Sequence, residues 1–397
     1  MRSRLGTIAL VCVAVLVAAA CDDGGDGGEN GGDGTAECTW VIGTMGALSG
    51  DFAQLGVGIF RGVELAVTQA QEAGDLACDV ELEDEDSQGD PEQAPALAQG
   101  LVENEELVAC VCPYFSGETL ATGDIFKQAG VLMTGTGTND TIDEQGFDTW
   151  FRSVASDGVQ APTAATYITE VIDPETVAVV HDNQDYSKGL AEDVLKDLGD
   201  LAEGPFIIDP EEADYSAVVA EVSDVDPDAV YYGGYVPQAP QLLKQLREAG
   251  VDAQFISDDG AKDPSFGELA GQDAEGALVT CPCVDPLKLD AAQEFVDAYR
   301  EEYNEAPRTF AADMYDVTNH VLDALAELGG DEPIEEVRQA VIEYFDTGEG
   351  LEGVAKTYTW EDSGELEADP LEDIWIYEWS DAEGDFVSLG PAGELVQ

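Results

Sequence analysis

Six polar residues stand just after segments that read as β-strands: Ser116, Thr136, Thr138, Tyr186, Tyr235 and Asp259. In an open α/β sheet, the carboxyl edge of the strands is where small ligands bind. Ser116 follows the apolar run Leu107–Cys112 and opens a predicted helix, so its hydroxyl and backbone N–H suit a carboxylate at the positive helix end. Thr136 and Thr138 belong to Thr134-Gly-Thr-Gly-Thr138, whose glycines let backbone approach a ligand closely. Tyr186 follows the strand Thr176–Val180, Tyr235 follows Tyr231-Tyr-Gly-Gly234, and Asp259 follows Gln254–Ser257. Taken singly, each reads as a turn or cap residue. Taken together they supply one site for an anion and one for a cation, which is the complement of a zwitterion.

Sets that would carry catalysis are missing. The sequence has no Gly-x-Ser-x-Gly elbow and no phosphate-binding Walker loop, and Gly43-x-x-Gly46 with Gly56-x-Gly58 does not make Gly-x-Gly-x-x-Gly. The two histidines, His181 and His320, read as structural. Acidic pairs say little in a chain with 85 carboxylates. The expectation is a binding protein that is not an enzyme, with no cofactor. No Asp-x-Asp-x-Asp-Gly loop marks a calcium site, and the Cys-x-Cys pairs are too far apart in sequence for zinc, so no metal is expected.

The elements that must position these residues alternate in type. Strands are predicted at Trp40–Gly46, Asp79–Glu83, Leu107–Cys112 and Val131–Thr134. Between them lie a helix through Leu55, Ile59, Val63, Ala66 and Ala70 that Gly74 closes, one opened by Asp90-Pro91, and one at Ser116–Ala129. The pattern resumes after Trp150–Ser153 with a helix through Pro162–Ile168. Strands Thr176–Val180, Pro205–Ile208, Ala229–Tyr232 and Gln254–Ser257 follow, with helices Lys188–Leu198, Tyr215–Val222 and Gln238–Ala249 between them. Repeated β-α order implies parallel sheets covered by helices, here an α/β fold of two doubly wound lobes. Amphipathic helices at Asp290–Asn304 and Phe310–Leu328 and strands at Ala355–Trp360 and Asp373–Trp379 form no third set. They must complete the existing lobes, so the chain crosses between lobes several times.

Residues 1–20 read as a signal peptide: Arg2 and Arg4, then the apolar run Leu5–Ala20, too short for a comfortable span. Leu16-Val17-Ala18-Ala19-Ala20-Cys21 resembles a lipobox, predicting a lipid-bearing Cys21, and residues 21–37 read as a flexible polar tether. The protein is then extracytoplasmic and held at the membrane by lipid. Six cysteines remain, an even count that suits an oxidising compartment. Cys38 and Cys78 each precede a predicted strand of one parallel sheet, which puts them about 5 Å apart and predicts a disulfide. Cys110, Cys112, Cys281 and Cys283 keep several possible pairings. Net charge is −70, from 85 acidic and 15 basic residues. Such a chain lacks the basic clusters that bind phosphate backbones, so nucleic acid is excluded as a partner. The acidity reads as a solvated surface suited to a salty medium.

Five stretches at this spacing carry a family likeness: Gly46-Ala-Leu-Ser-Gly-Asp51, Gln160-Ala-Pro-Thr-Ala-Ala165, Val177-Ala-Val-Val-His-Asp182, Tyr231-Tyr-Gly-Gly-Tyr235 and Ala274-Glu-Gly-Ala-Leu-Val-Thr280. From Trp40 to Trp379 the chain resembles the leucine/isoleucine/valine-binding protein family, the type I periplasmic solute-binding proteins of branched-chain amino acid ABC transporters. The resemblance implies two lobes joined by a three-crossover hinge that closes on ligand. Residues 38–156 and 284–361 would form lobe 1, and 157–283 and 362–397 lobe 2. It implies that Ser116 binds the ligand carboxylate, Thr138 touches carboxylate and ammonium, and Thr136 offers a backbone carbonyl to the ammonium. Tyr186 and Tyr235 would close over the ligand from lobe 2, Asp157 would sit at the first crossover, and Tyr114 and Phe310 would line the side-chain pocket. Asp259 stands where the family commonly has glutamate, and Leu55 where it has an aromatic residue, so the pocket is reshaped. The implied partners are an amino acid ligand and the permease and ATPase of an importer, with the protein itself a monomer. Amides, urea or another small polar solute are the alternative ligands, and sensing the alternative role.

Overall fold

The computed structural model describes residues 38–396, so Cys21 and the segments assigned to signal and tether lie outside the described residues. The described residues form one compact unit. In its first lobe, five strands pair in the order β2-β1-β3-β4-β5: β1 (Thr39–Gly46), β2 (Asp79–Asp86), β3 (Leu107–Cys110), β4 (Leu132–Gly135) and β5 (Trp150–Arg152), all parallel. β1 is buried along nearly its whole length because it is a central strand with helices on both faces, whereas β2, at the edge, leaves Asp79, Glu81 and Asp84 exposed. The covering helices are α1 (Ala53–Ala73), α2 (Ala94–Glu103) and α3 (Ser116–Ala129). α1 buries Ile59, Val63 and Ala66 and stops at Gly74, whose φ of 64° allows the left-handed C-cap.

The second lobe starts with α4 (Asp157–Tyr167) and is built on β6 (Val177–His181), β7 (Ala202–Ile207), β8 (Ala229–Gly233), β9 (Gln254–Ser257) and β10 (Leu278–Cys281), with α5 (Asp185–Leu198), α6 (Ser216–Val225), α7 (Ala239–Glu248) and α8 (Ser265–Ala270). The chain then returns to the first lobe. α9 (Gln293–Tyr303) and α10 (Ala311–Ala326) pack on α1, and α11 (Ile334–Thr347) packs on β3. β11 (Leu351–Glu352) and β12 (Thr357–Tyr358) form a short antiparallel pair. Finally β13 (Trp375–Ser380) and β14 (Asp385–Pro391) join the second sheet antiparallel, giving the order β14-β13-β10-β9-β8-β6-β7, and α12 (Ala392–Leu395) ends the described chain. Three passages, near residues 153–156, 282–292 and 367–374, therefore connect the lobes. Among the described residues no helix is long and apolar enough to cross a membrane.

Several boundaries differ from the sequence reading for identifiable reasons. β3 ends at Cys110, two residues short of the expected Cys112, where Cys110 and Cys112 are bonded to each other and Pro113 follows. Asp90-Pro91 opens a turn, and α2 begins only at Ala94. β5, β10, β14, α8 and α11 were not expected. β5 has only three residues, too few for periodicity to speak. Of the expected strand Ala355–Trp360 only Thr357–Tyr358 forms a strand, and Trp360 makes an isolated bridge with Leu366. The disulfide Cys38–Cys78 is present with Cα atoms 4.9 Å apart, as the in-register pairing Thr39↔Asp79 requires. The remaining cysteines pair locally, Cys110 with Cys112 and Cys281 with Cys283.

Candidate binding cleft

The carboxyl edges of the two sheets face each other across a cleft lined by Leu55, Tyr114, Phe115, Ser116, Thr136, Thr138, Tyr186, Tyr235, Asp259 and Phe310. The space enclosed is at most about 240 Å³, roughly eight heavy atoms at the ~30 Å³ each water occupies in the liquid.

Each wall has a local cause. Ser116 is the first residue of α3, so the unpaired N–H groups of that helix end point toward the cleft. Its Oγ accepts from the Asn139 backbone N–H at 3.2 Å. The Thr136 hydroxyl donates to the Tyr114 carbonyl at 2.6 Å, which pins the loop after β4 to the loop after β3. The buried Arg152 guanidinium, on β5, fixes the same loop from behind: it donates to the carbonyls of Gly137 and Asn139 and pairs with Asp143 at 2.5 Å and Glu365 at 2.8 Å. The Tyr114 hydroxyl is bonded to Thr44, and its ring lies against Gly46, where any Cβ would collide with the ring. Phe310 precedes α10 with φ 63°, a left-handed conformation rare for a bulky residue.

The opposite wall is acidic. Asp259 Oδ1 accepts from Gln160 Nε2 and from the Tyr186 hydroxyl, each at 2.9 Å, and Oδ2 takes neither bond. Burial pushes the Asp259 carboxyl up to about 6. Burial also raises Asp157 and Asp258, with the neighbouring Asp259 as the next cause for both. Tyr186 is raised well above the ordinary phenol range by burial, so it stays protonated and can donate. Three carboxyl groups thus share a water-poor region with no cation among the cleft-lining side chains. The lobes touch at this edge: Tyr235 packs against Phe52 and Phe115 with ring centroids 5.1 and 5.7 Å away, and Asn139 Nδ2 donates to the Asp185 carbonyl at 2.7 Å.

Nine of the ten residues singled out for ligand contact line this cleft. Asp157 does not. It is buried behind the wall as the first residue of α4, with its N–H donating to the Thr138 carbonyl at 2.8 Å. Phe115, Gln160 and Asp258 were missed. Phe115 precedes Ser116 directly, and Asp258 is half of a visible Asp-Asp doublet. Gln160 opens the stretch Gln160-Ala-Pro-Thr-Ala-Ala165, but its spacing gives it no role; its side chain reaches Asp259 only through the packing of α4 on the rest of the second lobe. His181 accepts from the Asn183 N–H at 2.9 Å and is pushed down by burial, and His320 is buried and pushed down to about 4; neither side chain lines the cleft. Among the described residues no group of three or more His, Cys, Asp or Glu side chains could hold a metal ion.

Comparison with known proteins gives a consistent result. The model of the family described as periplasmic binding protein matches residues 39–383. The Leu/Ile/Val-binding protein of Escherichia coli strain K12 is 31% identical over 343 residues, covering 85% of this chain and 90% of that one. The leucine-specific-binding protein of Salmonella typhimurium is 29% identical over 347 residues with the same coverage. Among solved structures, a branched-chain amino acid transporter substrate binding protein of Streptococcus pneumoniae in complex with isoleucine superposes with a TM-score of 0.77 at 25% identity, covering 88% of this chain and 99% of that one. A leucine binding protein of Thermotoga maritima gives a TM-score of 0.79 at 23% identity, with coverage of 88% and 97%.

Proposed function

The chain belongs to the periplasmic binding protein family, and from that premise we propose that it captures a small aliphatic α-amino acid between its lobes and delivers it to the permease of an ABC importer. One observation carries the reading: two poles of opposite character face each other across a space of amino acid size. On the first lobe, the α3 N-terminus with the Ser116 and Thr138 hydroxyls suits a carboxylate. On the second, Asp259 keeps Oδ2 clear of the bonds that orient it, and suits an ammonium. Thr136 would offer its carbonyl beside the ammonium, Tyr186 and Tyr235 would cover the ligand, and Leu55, Tyr114, Phe115 and Phe310 would hold an aliphatic side chain. Asp157 would act from behind the wall, through its hydrogen bond to Thr138. Relatives named as a Leu/Ile/Val-binding protein and a leucine-specific-binding protein support the same ligand class.

Closure brings the poles to one molecule, and a zwitterion rewards closure as neither charge would alone. Amides and urea lack the carboxylate for the α3 pole and would leave it empty. The mature protein would start at a lipid-bearing Cys21 and work as a monomer on the outer face of the membrane, binding its ligand without converting it. Calorimetric titration with leucine, isoleucine, valine and alanine tests the ligand class. Absence of binding to every α-amino acid, with binding to an amide or urea, would overturn it. A diacylglycerol adduct on the N-terminal peptide tests the anchor, and a free Cys21 thiol would remove it.

A further inference from the structure

Beside the cleft, one guanidinium touches the segments that carry three of its wall residues. Arg308 Nη1 donates to Gln54 Oε1 at 2.9 Å, and Gln54 precedes the wall residue Leu55. Its Nε and Nη2 embrace both oxygens of Glu305, at 2.9 and 3.1 Å, and Glu305 is also bonded to Arg61 of α1. Nη1 further reaches Asp263 Oδ2 at 3.4 Å, two residues past the turn Asp259–Ala261. Two residues along from Arg308 lies Phe310, in its left-handed conformation. The approach is built in. A Cβ on Gly58 of α1 would stand 2.8 Å from the Arg308 Cβ, so that helix is open where the arginine passes. Thr309, between them, accepts from Lys262 Nζ at 3.2 Å and donates to the Lys262 carbonyl at 2.8 Å, a second tie across the lobes.

We infer that Arg308 is a positioning residue of the cleft, one planar donor group that fixes Leu55, Phe310 and Asp259 relative to one another and so sets the shape available to the ligand side chain. A guanidinium suits this because its donors leave in a rigid fork, while a lysine offers a single point charge. The inference rests on the amino acid reading of the cleft, but its first test does not. In ligand-free protein, Arg308→Ala should speed amide hydrogen exchange at least tenfold over residues 53–58 and 308–314, and Arg308→Lys should restore little of it. Exchange within twofold of the parent in both segments would overturn the inference whatever the ligand is. Calorimetry with alanine, valine and leucine supplies the second readout. Arg308→Ala should narrow the spread of the three affinities at least threefold, whereas Asp263→Asn, which cuts only the inter-lobe arm, should lower all three together. An unchanged spread in Arg308→Ala reduces Arg308 to a structural residue and refutes the positioning role. Should Arg308→Ala not fold, Gln54→Ala isolates the arm to Leu55: faster exchange over residues 53–58 with a narrowed spread supports the inference, and no change in either refutes it.

Discussion

Replacing Asp259 by asparagine should move stability and affinity in opposite directions. The carboxyl is buried and held at about 6 against an ordinary 3.8, with burial as the main cause. A raised carboxyl favours the folded state below pH 3.8, and that advantage is gone above pH 6. At pH 7 the ionised group therefore costs the empty protein roughly 3 kcal/mol, at 1.36 kcal/mol per pH unit. Asparagine removes the charge while its Oδ1 can still accept from Gln160 and Tyr186, so most of that cost should be relieved. The ligand-free variant should melt a few degrees higher. Binding should suffer, because a ligand ammonium would lose its charge partner in a dry cleft. Removing one member of a buried ion pair costs about 3–5 kcal/mol, or roughly 10²–10³-fold or more in Kd at 1.4 kcal/mol per decade. Differential scanning calorimetry without ligand and titration calorimetry with leucine read the two effects. A variant that binds leucine within about threefold of the parent refutes the ammonium assignment. One that melts lower when empty refutes the claim that the carboxylate is electrostatically costly there.

Three further outcomes are expected. Glu118 and Glu365 are pushed up to about 8 and Asp316 to about 7, chiefly by burial, so the folded state holds protons that the unfolded chain has released. Stability should therefore fall as pH rises from about 6.5 to 8.5, and a melting temperature rising over that window would contradict the assignment. With 85 acidic residues against 15 basic ones, raising NaCl from about 0.1 to 1 M shortens the screening length from about 10 to 3 Å and should raise the melting temperature; a flat response would show that self-repulsion is not limiting. The Cys38–Cys78 bridge spans 40 residues, so the double serine variant should lose roughly 4 kcal/mol by chain entropy, read as a lower urea midpoint; an unchanged midpoint would show that the unfolded chain is constrained by other means.

The alternating order of strands and helices was legible because each element of the β-α repeat carries its own signal. Leu107 to Cys110 is a buried apolar run, and α1 repeats its apolar face over 21 residues and stops at glycine. The strand-end rule then located Ser116, Thr138 and Asp259 from sequence position. What could not be read were contacts made by folding distant segments together. Gln160 reaching Asp259, Arg152 holding Gly137 and Asn139, and Arg308 reaching Gln54 leave no periodic trace. β5 and β14 were hidden for related reasons. One has only three residues, and the other alternates exposed side chains along a sheet edge, so its identity comes from its partner β13.

The three passages between the lobes have a mechanical consequence. A body hung on one strap can swing, twist and slide; hung on three, it has fewer soft directions. Arg152 stiffens this mounting: its backbone carbonyl accepts from the Trp360 indole at 2.7 Å, and its guanidinium meets Glu365, so the first passage and the approach to the third are bound together at their root. The lobes should then travel along one repeatable arc, like a door on several pins. Whatever surface reads the shut form would meet the same outline at every cycle, because the freedom that would blur that outline is removed at the mounting and not at the mouth.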